Sequence, residues 1–362
     1  MQKLFAILLA MAMALTIPHF ASAASDSPAS IEVKTNFEYA FVYMEYTDSS
    51  NRIIRSYSSL PDHNPRTFSR AVSVDASQPS DKRTKAILTS LGMSPDFVNE
   101  LSAEDLEVYA TSPQITSIVS YTKTDGQGNV TPVTEEEAIA VTSIDPGFEN
   151  ITHPGDGAGN PAFSTVEEDT YMKIVFIVTE LGDGRYKFSV DAEWLTMPYF
   201  RFLDCIGIAV QHSSVSYGSL YGWYKYSWRT TTYFESTTNN LTQVFSDSDF
   251  AQPSPSAWDG GAATFQLPVD YSDEYSAITN YDFKVHFELE ATVVHPAIET
   301  VFNATATYDH SIVSPDIDLS INLTSLDGLF GCVLGWGINS ETRIAYFDEP
   351  FRYIPGLERN SP

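Results

Sequence analysis

Positive charge is what this sequence has least of. Lys and Arg together number 20 against 47 Asp and Glu, a formal net charge of -27. A surface of that sign repels phosphate backbones and anionic lipid, whose binders gain affinity from clustered Lys and Arg. Nucleic acid is thereby excluded as a partner. Cysteine is scarcer still, with two in 362 residues, and neither has histidines at zinc-ligand spacing. His153, His212, His286, His295 and His310 are scattered and no His-Glu-x-x-His is present, so no metal is expected. Asp247-Ser248-Asp249 lacks the Gly and distal Glu of a calcium loop. No cofactor is expected either: the Gly155 to Gly159 run is followed by no Lys-Ser/Thr pair that would make it a phosphate cradle. Gly218-Ser219-Leu220-Tyr221-Gly222 has Tyr217 where a nucleophile elbow needs glycine. Long apolar runs are missing after residue 17, which leaves nothing of the roughly 20 residues needed for a membrane-spanning helix.

The one apolar run that is there, Leu4 to Ile17, follows Lys3 and precedes Ala21-Ser22-Ala23. That order reads as a signal peptide over residues 1–23 cleaved near Ala23-Ala24, and so as a secreted protein with no membrane insertion after cleavage. Outside the cell, strong acidity serves solubility and resists self-association. Cys205 and Cys332 are then expected to form one disulfide, the alternative being two buried thiols packed as small hydrophobes. Asn129, Asn150, Asn240, Asn303 and Asn322 sit in Asn-x-Ser/Thr triplets, glycan acceptors in a host that glycosylates exported chains.

Aromatic residues are plentiful, 22 Phe and 20 Tyr, which favours pleated sheet. The expected fold is mainly β (α+β overall): a small hairpin-plus-short-helices domain over 24–144, a Gly/Pro-rich linker over 145–165, and a larger antiparallel β-sandwich or jelly roll over 166–362. In the first part, Phe37 to Tyr46 alternates as a strand and Ile53 to Ser58 returns as its partner. Helix punctuation follows. Ser80 caps a helix ended by Gly92, Ser94-Pro95 starts a second, and Ser102 with Asp105 forms an acidic variant of the capping box. The expected role of these helices is a structural cap. Ile115 to Thr124 is a further strand.

In the second part, Tyr171–Val178 and Tyr186–Trp194 flank a Gly-Asp-Gly hairpin turn. Tyr281 to Val293 alternates most regularly, with Phe283, Val285, Phe287 and Leu289 on one side. Its other side carries Lys284, His286, Glu288 and Glu290, and is expected to be wet.

Two constellations bear on function. The segment 217–234 holds eight rings. In an extended chain Tyr224, Tyr226 and Trp228 share one face, while Tyr221 and Trp223 share the other with Lys225 and Arg229. Exposed rings often mark binding sites, and a sugar's C-H face can stack on them. Tyr221, Trp223, Lys225, Trp228 and Arg229 are the candidate ligand-binding residues, for a polysaccharide or cell-surface ligand. The alternative, two covered faces, makes the same rings core. The second constellation is paired carboxylates, Asp191 with Glu193 and Glu288 with Glu290, whose spacing of about 6.5 Å on a strand permits glycoside hydrolysis. The same alternation describes the solvent face of an acidic strand. The expected function is a secreted, non-catalytic binding protein. A carbohydrate-active hydrolase using those carboxylates and a structural envelope or matrix component are the alternatives, and the oligomeric state is left open.

Overall fold

The computed structural model describes residues 42–47, 50–58, 80–125, 128–142, 169–198, 201, 203–232, 234–251, 258–273, 275–295, 299–311, 321–326, 329–334, 340–346 and 351–353. The chain begins with β1 (Val42–Thr47), β2 (Ile53–Ser58), helices α1 (Ser80–Ser90), α2 (Pro95–Glu100) and α3 (Ala103–Thr111), β3 (Gln114–Thr124), β4 (Val130–Val133) and α4 (Glu135–Thr142). Strands alone follow: β5 (Thr170–Gly182), β6 (Arg185–Trp194), β7 (Leu203–Gln211), β8 (Ser213–Thr232), β9 (Ser236–Val244), β10 (Phe250–Ala251), β11 (Trp258–Gln266), β12 (Tyr271–Ser272) and β13 (Ser276–Val293). The last are β14 (Thr300–Phe302), β15 (Ala304–Ser311), β16 (Ile321–Leu326), β17 (Leu329–Leu334), β18 (Ser340–Tyr346) and β19 (Phe351–Tyr353).

The protein is mostly strand, and its strand pairs are antiparallel. A ten-stranded sheet runs β1-β2-β3-β5-β6-β13-β8-β9, with β4 beside β3 and β12 beside β13. A five-stranded sheet, β10-β11-β7-β15-β18, packs on one of its faces. Phe176, Phe188, Val190, Val285 and Phe287 of the large sheet meet Ile206, Ile208, Ala306 and Tyr308 of the small one in a dry core. This is the sandwich that the alternating strands imply. The opposite face is covered too. Leu88, Leu91, Phe97, Val98, Leu106 and Tyr109 from α1–α3 pack on Ile115, Val119, Val175, Ile177 and Trp223. The large sheet is therefore the middle of three layers. The residues expected to form a linker, 145–165, lie outside the described residues. The strands on either side of them, β3 and β5, pair from Ile115↔Thr179 to Thr124↔Thr170, so one sheet spans both parts of the chain.

Local chemistry explains the element ends. In α3 the Ser102 hydroxyl accepts from the Asp105 N–H at 3.1 Å and the Asp105 carboxylate accepts from the Ser102 N–H at 3.2 Å, so an Asp completes the capping box as the sequence implies. The β5–β6 turn places Asp183 at φ 54° and Gly184 at φ 73°, the pair of positive φ values of a type I′ turn. Gly92 ends α1 at φ 104°, and a Cβ there would lie 2.4 Å from Val119 Cγ2. Gly92→Ala is thus expected to lower stability by about 2 kcal/mol or more through backbone strain and overlap, measured as a shift in the urea midpoint. A loss below about 0.5 kcal/mol would show that the α1 end is not pinned against β3.

Among the described residues no disulfide is seen, and the expected Cys205–Cys332 bridge is not among the contacts of Cys205. Cys205 is fully buried in β7, facing Thr264 of β11 and Asp309 of β15 in the register, with its thiol 3.9 Å from the Ile206 carbonyl. Its backbone pairs on both sides within the five-stranded sheet. The Cys332 side chain lies outside the described residues.

Candidate functional site

The register of the large sheet sorts the polar candidates into rows on the helix-covered face. Lys173, Glu193, Lys284 and Lys225 stand side by side across β5, β6, β13 and β8. The next row is Val175, Asp191, His286 and Trp223, and the next Ile177, Ser189, Glu288 and Tyr221. Cross-strand neighbours on one face sit about 5 Å apart, so opposite charges placed this way are in contact without any loop to arrange them.

The helices complete the set. Lys187 bridges Asp105 of α3 at 3.1 Å and Glu288 at 2.9 Å. Lys284 reaches Asp96 of α2 at 2.5 Å, Asp282 at 2.8 Å and Glu193 at 3.4 Å, and Lys225 lies 3.7 Å from Glu100. His286 bridges two carboxylates, with Nδ1 2.6 Å from Asp191 and Nε2 3.1 Å from Glu288. Phe97 of α2 covers the imidazole at a centroid distance of 6.0 Å and Trp223 flanks it at 5.8 Å. The face expected to be wet is therefore a buried ionic interlayer: Asp191 is 2% exposed, Glu288 9%, His286 2% and Lys187 5%. Alternation along β13 was read correctly, but the covering helices turn its polar side inward.

Burial alone would push the His286 imidazole down. The hydrogen bonds to Asp191 and Glu288, and their charges, overcome it and hold the group up at about 9. For Glu288, burial would push the carboxyl up, and the His286 and Lys187 contacts hold it below its ordinary value of 4.5. Because the folded His286 binds its proton more tightly than the ordinary 6.5, its stabilisation is fully present below about pH 6.5 and is lost as pH rises through 9. The Glu288 contribution runs the other way: it is present above the ordinary 4.5 and lost as pH falls through the lower folded value. The melting temperature is expected to fall between pH 7 and pH 10 by several degrees, with a flatter profile in His286→Gln. Equal slopes in the two proteins would contradict an imidazolium at the centre of the interlayer.

The carboxylate pairs proposed for hydrolysis separate accordingly. Asp191 and Glu288 are held by His286 and Lys187, and Glu193 lies against Lys284. Glu290 is half-buried and its backbone N–H donates to the Ser219 hydroxyl at 2.8 Å. Among the described residues no group of His, Cys, Asp and Glu could hold a metal ion, and no helix is long and apolar enough to cross a membrane.

The five ring and cation candidates also separate, onto two faces. Trp223 is 5% exposed, with the Phe97 ring 5.0 Å away, and belongs to the core. Lys225 points to α2 through Glu100, and Tyr221 is exposed beside that interlayer at 43%. Arg229 is half-buried near the end of β8. Trp228 lies on the other face, in a row whose other two rings, Tyr224 and Tyr226, are not among the sequence candidates. Tyr224 and Tyr226 stack at 6.5 Å with 12° between planes, and Tyr226 meets Trp228 at 5.7 Å. The inner end of the row is anchored: Tyr224 stacks on Phe265 and Phe283 at 5.9 Å each, and Tyr226 on Phe283 at 6.5 Å. All three are half-buried, with Tyr224 and Tyr226 packed against the rim of the sandwich core. Opposite them on β9 stand Gln243, Leu241 and Asn239, all exposed, and Gln243 Oε1 accepts from the Tyr224 hydroxyl at 2.8 Å.

A second buried polar network went unread in the sequence. Trp194 Nε1 donates to the Tyr308 hydroxyl at 2.9 Å, Tyr308 donates to Asp204, and His310 Nδ1 lies 2.8 Å from Asp204. The Arg343 guanidinium sits 4.7 Å over the Trp194 ring. Each of these residues is 3% exposed or less, so they tie the sandwich together rather than meet a ligand.

No known protein family matches the sequence, and no curated protein does. Among solved structures, AvmM, described as catalysing macrocyclization in alchivemycin A biosynthesis, is 13% identical over 48% of this chain and 81% of its own, with a TM-score of 0.21. A likeness that loose carries nothing over to this protein.

Proposed function

We propose that this is a secreted, non-catalytic binding protein that takes a carbohydrate chain along the Tyr224–Tyr226–Trp228 row. The observation that carries the reading is the row itself: three rings spaced 6.5 and 5.7 Å apart, of which Tyr224 stacks on Phe265 and Phe283 and Tyr226 on Phe283. Rings locked by packing lose little freedom on binding, and a row at strand spacing offers successive flat surfaces to a repeating chain of sugar rings. Asn239 and Gln243 stand beside the rings as amides able to bond hydroxyls. The signal-like residues 1–23 and the acidic composition support an extracellular setting. Binding is favoured over hydrolysis because Asp191 and Glu288 are neutralised beneath the helices, on the opposite face from the row.

The test is retention on a panel of immobilised polysaccharides, with reducing-sugar release assayed in parallel. One or more should retain the protein without turnover, and Trp228→Ala should weaken that binding by about 2 kcal/mol, roughly 30-fold. Retention by none of them, or release of reducing sugar that is lost in Glu288→Gln, would overturn the reading.

A further inference from the structure

The outer edge of the large sheet is β9, Ser-Thr-Thr-Asn-Asn-Leu-Thr-Gln-Val, nine residues that are all exposed. Edge strands expose unpaired N–H and C=O groups, and proteins blunt them with Lys, Pro, bulges, short length or a covering segment. β9 carries no charge and no proline, in a chain that is 19% charged. Its pairing with β8 runs without a register shift from Thr231↔Ser236 to Trp223↔Val244, and among the described residues no strand lies beyond it.

Which groups point outward follows from the two ends of that ladder. The Phe245 N–H donates to the Gly222 carbonyl at 3.0 Å, and the Thr232 N–H donates to the Glu235 carbonyl at 2.9 Å. Odd-numbered residues therefore bond to β8, and the alternation of an antiparallel ladder directs the N–H and C=O of Ser236, Thr238, Asn240, Thr242 and Val244 away from it. These five positions are symmetric about Asn240.

We propose that β9 pairs with β9 of a second copy of this chain, antiparallel about a two-fold axis at Asn240, joining two ten-stranded sheets into one. In that register Asn240 faces its own counterpart, Thr238 faces Thr242, and Ser236 faces Val244, so every outward group finds a partner. Any other antiparallel register strands some of them. The partner is a second copy because the strip is self-complementary. Charge selects the same place: two chains of net charge -27 repel each other, and this uncharged strip lets their backbones meet without opposing carboxylates.

Sedimentation across protein concentration, with site-directed variants of the full chain, tests this. The wild type should form a dimer that tightens with added salt as the net repulsion is screened. Asn240→Pro removes an outward N–H and no bond to β8, so it should sediment as a monomer with an unchanged melting temperature. Asn240→Cys places two thiols across the axis at about 5.5 Å between Cα atoms and should cross-link to a covalent dimer under mild oxidation, whereas Phe234→Cys should not. Should Asn240→Pro fold poorly, Thr238→Lys with Thr242→Lys sets Lys against Lys and should also give monomer. A wild type that stays monomeric at about 100 μM, where even weak specific pairs associate, would overturn the proposal. So would an oligomer that survives the edge substitutions, or one formed only with an unrelated extended peptide.

Discussion

Lys187→Met is expected to lower the unfolding free energy by about 3 to 5 kcal/mol. Lys187 is 5% exposed and holds Asp105 of α3 and Glu288 of β13 together at 3.1 and 2.9 Å. Its removal leaves Glu288 buried with only His286 as a cationic partner and takes away the ionic tie between α3 and the sheet, leaving Leu106 and Tyr109 to hold that helix. The pair as a whole is a different matter, because two buried charges are costly to desolvate even when matched. Lys187→Met combined with Glu288→Leu should therefore recover a substantial part of the loss. Urea unfolding of the two variants measures both quantities. A single substitution costing less than about 1 kcal/mol, the range of an exposed ion pair, would mean that the interlayer is hydrated and that the helices are held by their apolar contacts alone.

Trp223→Ala should cost about 3 to 5 kcal/mol, the range for deleting a large buried ring. The ring is 5% exposed and fills the space between Phe97 at 5.0 Å and His286 at 5.8 Å. Losing it opens a cavity beside the imidazolium and removes part of its cover. Stability and binding should then dissociate in opposite directions. Trp223→Ala lowers the melting temperature and leaves binding by the folded fraction intact, whereas Trp228→Ala weakens binding and costs little stability. A Trp223→Ala protein that melts like the wild type but no longer binds would return that ring to the ligand site.

The strands were legible because period-two alternation is a local signal. Ile53 to Ser58, Tyr186 to Trp194 and the capping box at Ser102 and Asp105 can each be read without knowing the fold. What alternation cannot report is what lies on either side of a strand. Along β13, Lys284, His286 and Glu288 read as a solvent face, since a charged side chain is ordinarily wet. The signal that could have corrected this was the interleaving of Lys187 and Lys284 with Asp191, Glu193 and Glu288, matched by Asp96, Glu100 and Asp105 on helices far away in sequence. In a chain with so few basic residues, lysines set among acids on facing strands are placed to be paired. The same blindness left open which of the rings are covered. Parity separated Trp223 from Trp228, but only the position of Phe97 decides which of the two faces is closed. The Asp204–Tyr308–His310 network was invisible for another reason: its members meet through register across β7 and β15, separated by more than a hundred residues.

The most direct measurement is a calorimetric titration of a retained polysaccharide into the wild type, Tyr226→Ala, Trp228→Ala and Tyr221→Ala, each first shown to be folded. Binding along the Tyr224–Tyr226–Trp228 row predicts that the first two substitutions each weaken affinity roughly 30-fold while Tyr221→Ala, on the other face, matches the wild type. Unchanged affinity in Tyr226→Ala and Trp228→Ala, or a loss confined to Tyr221→Ala, would contradict it.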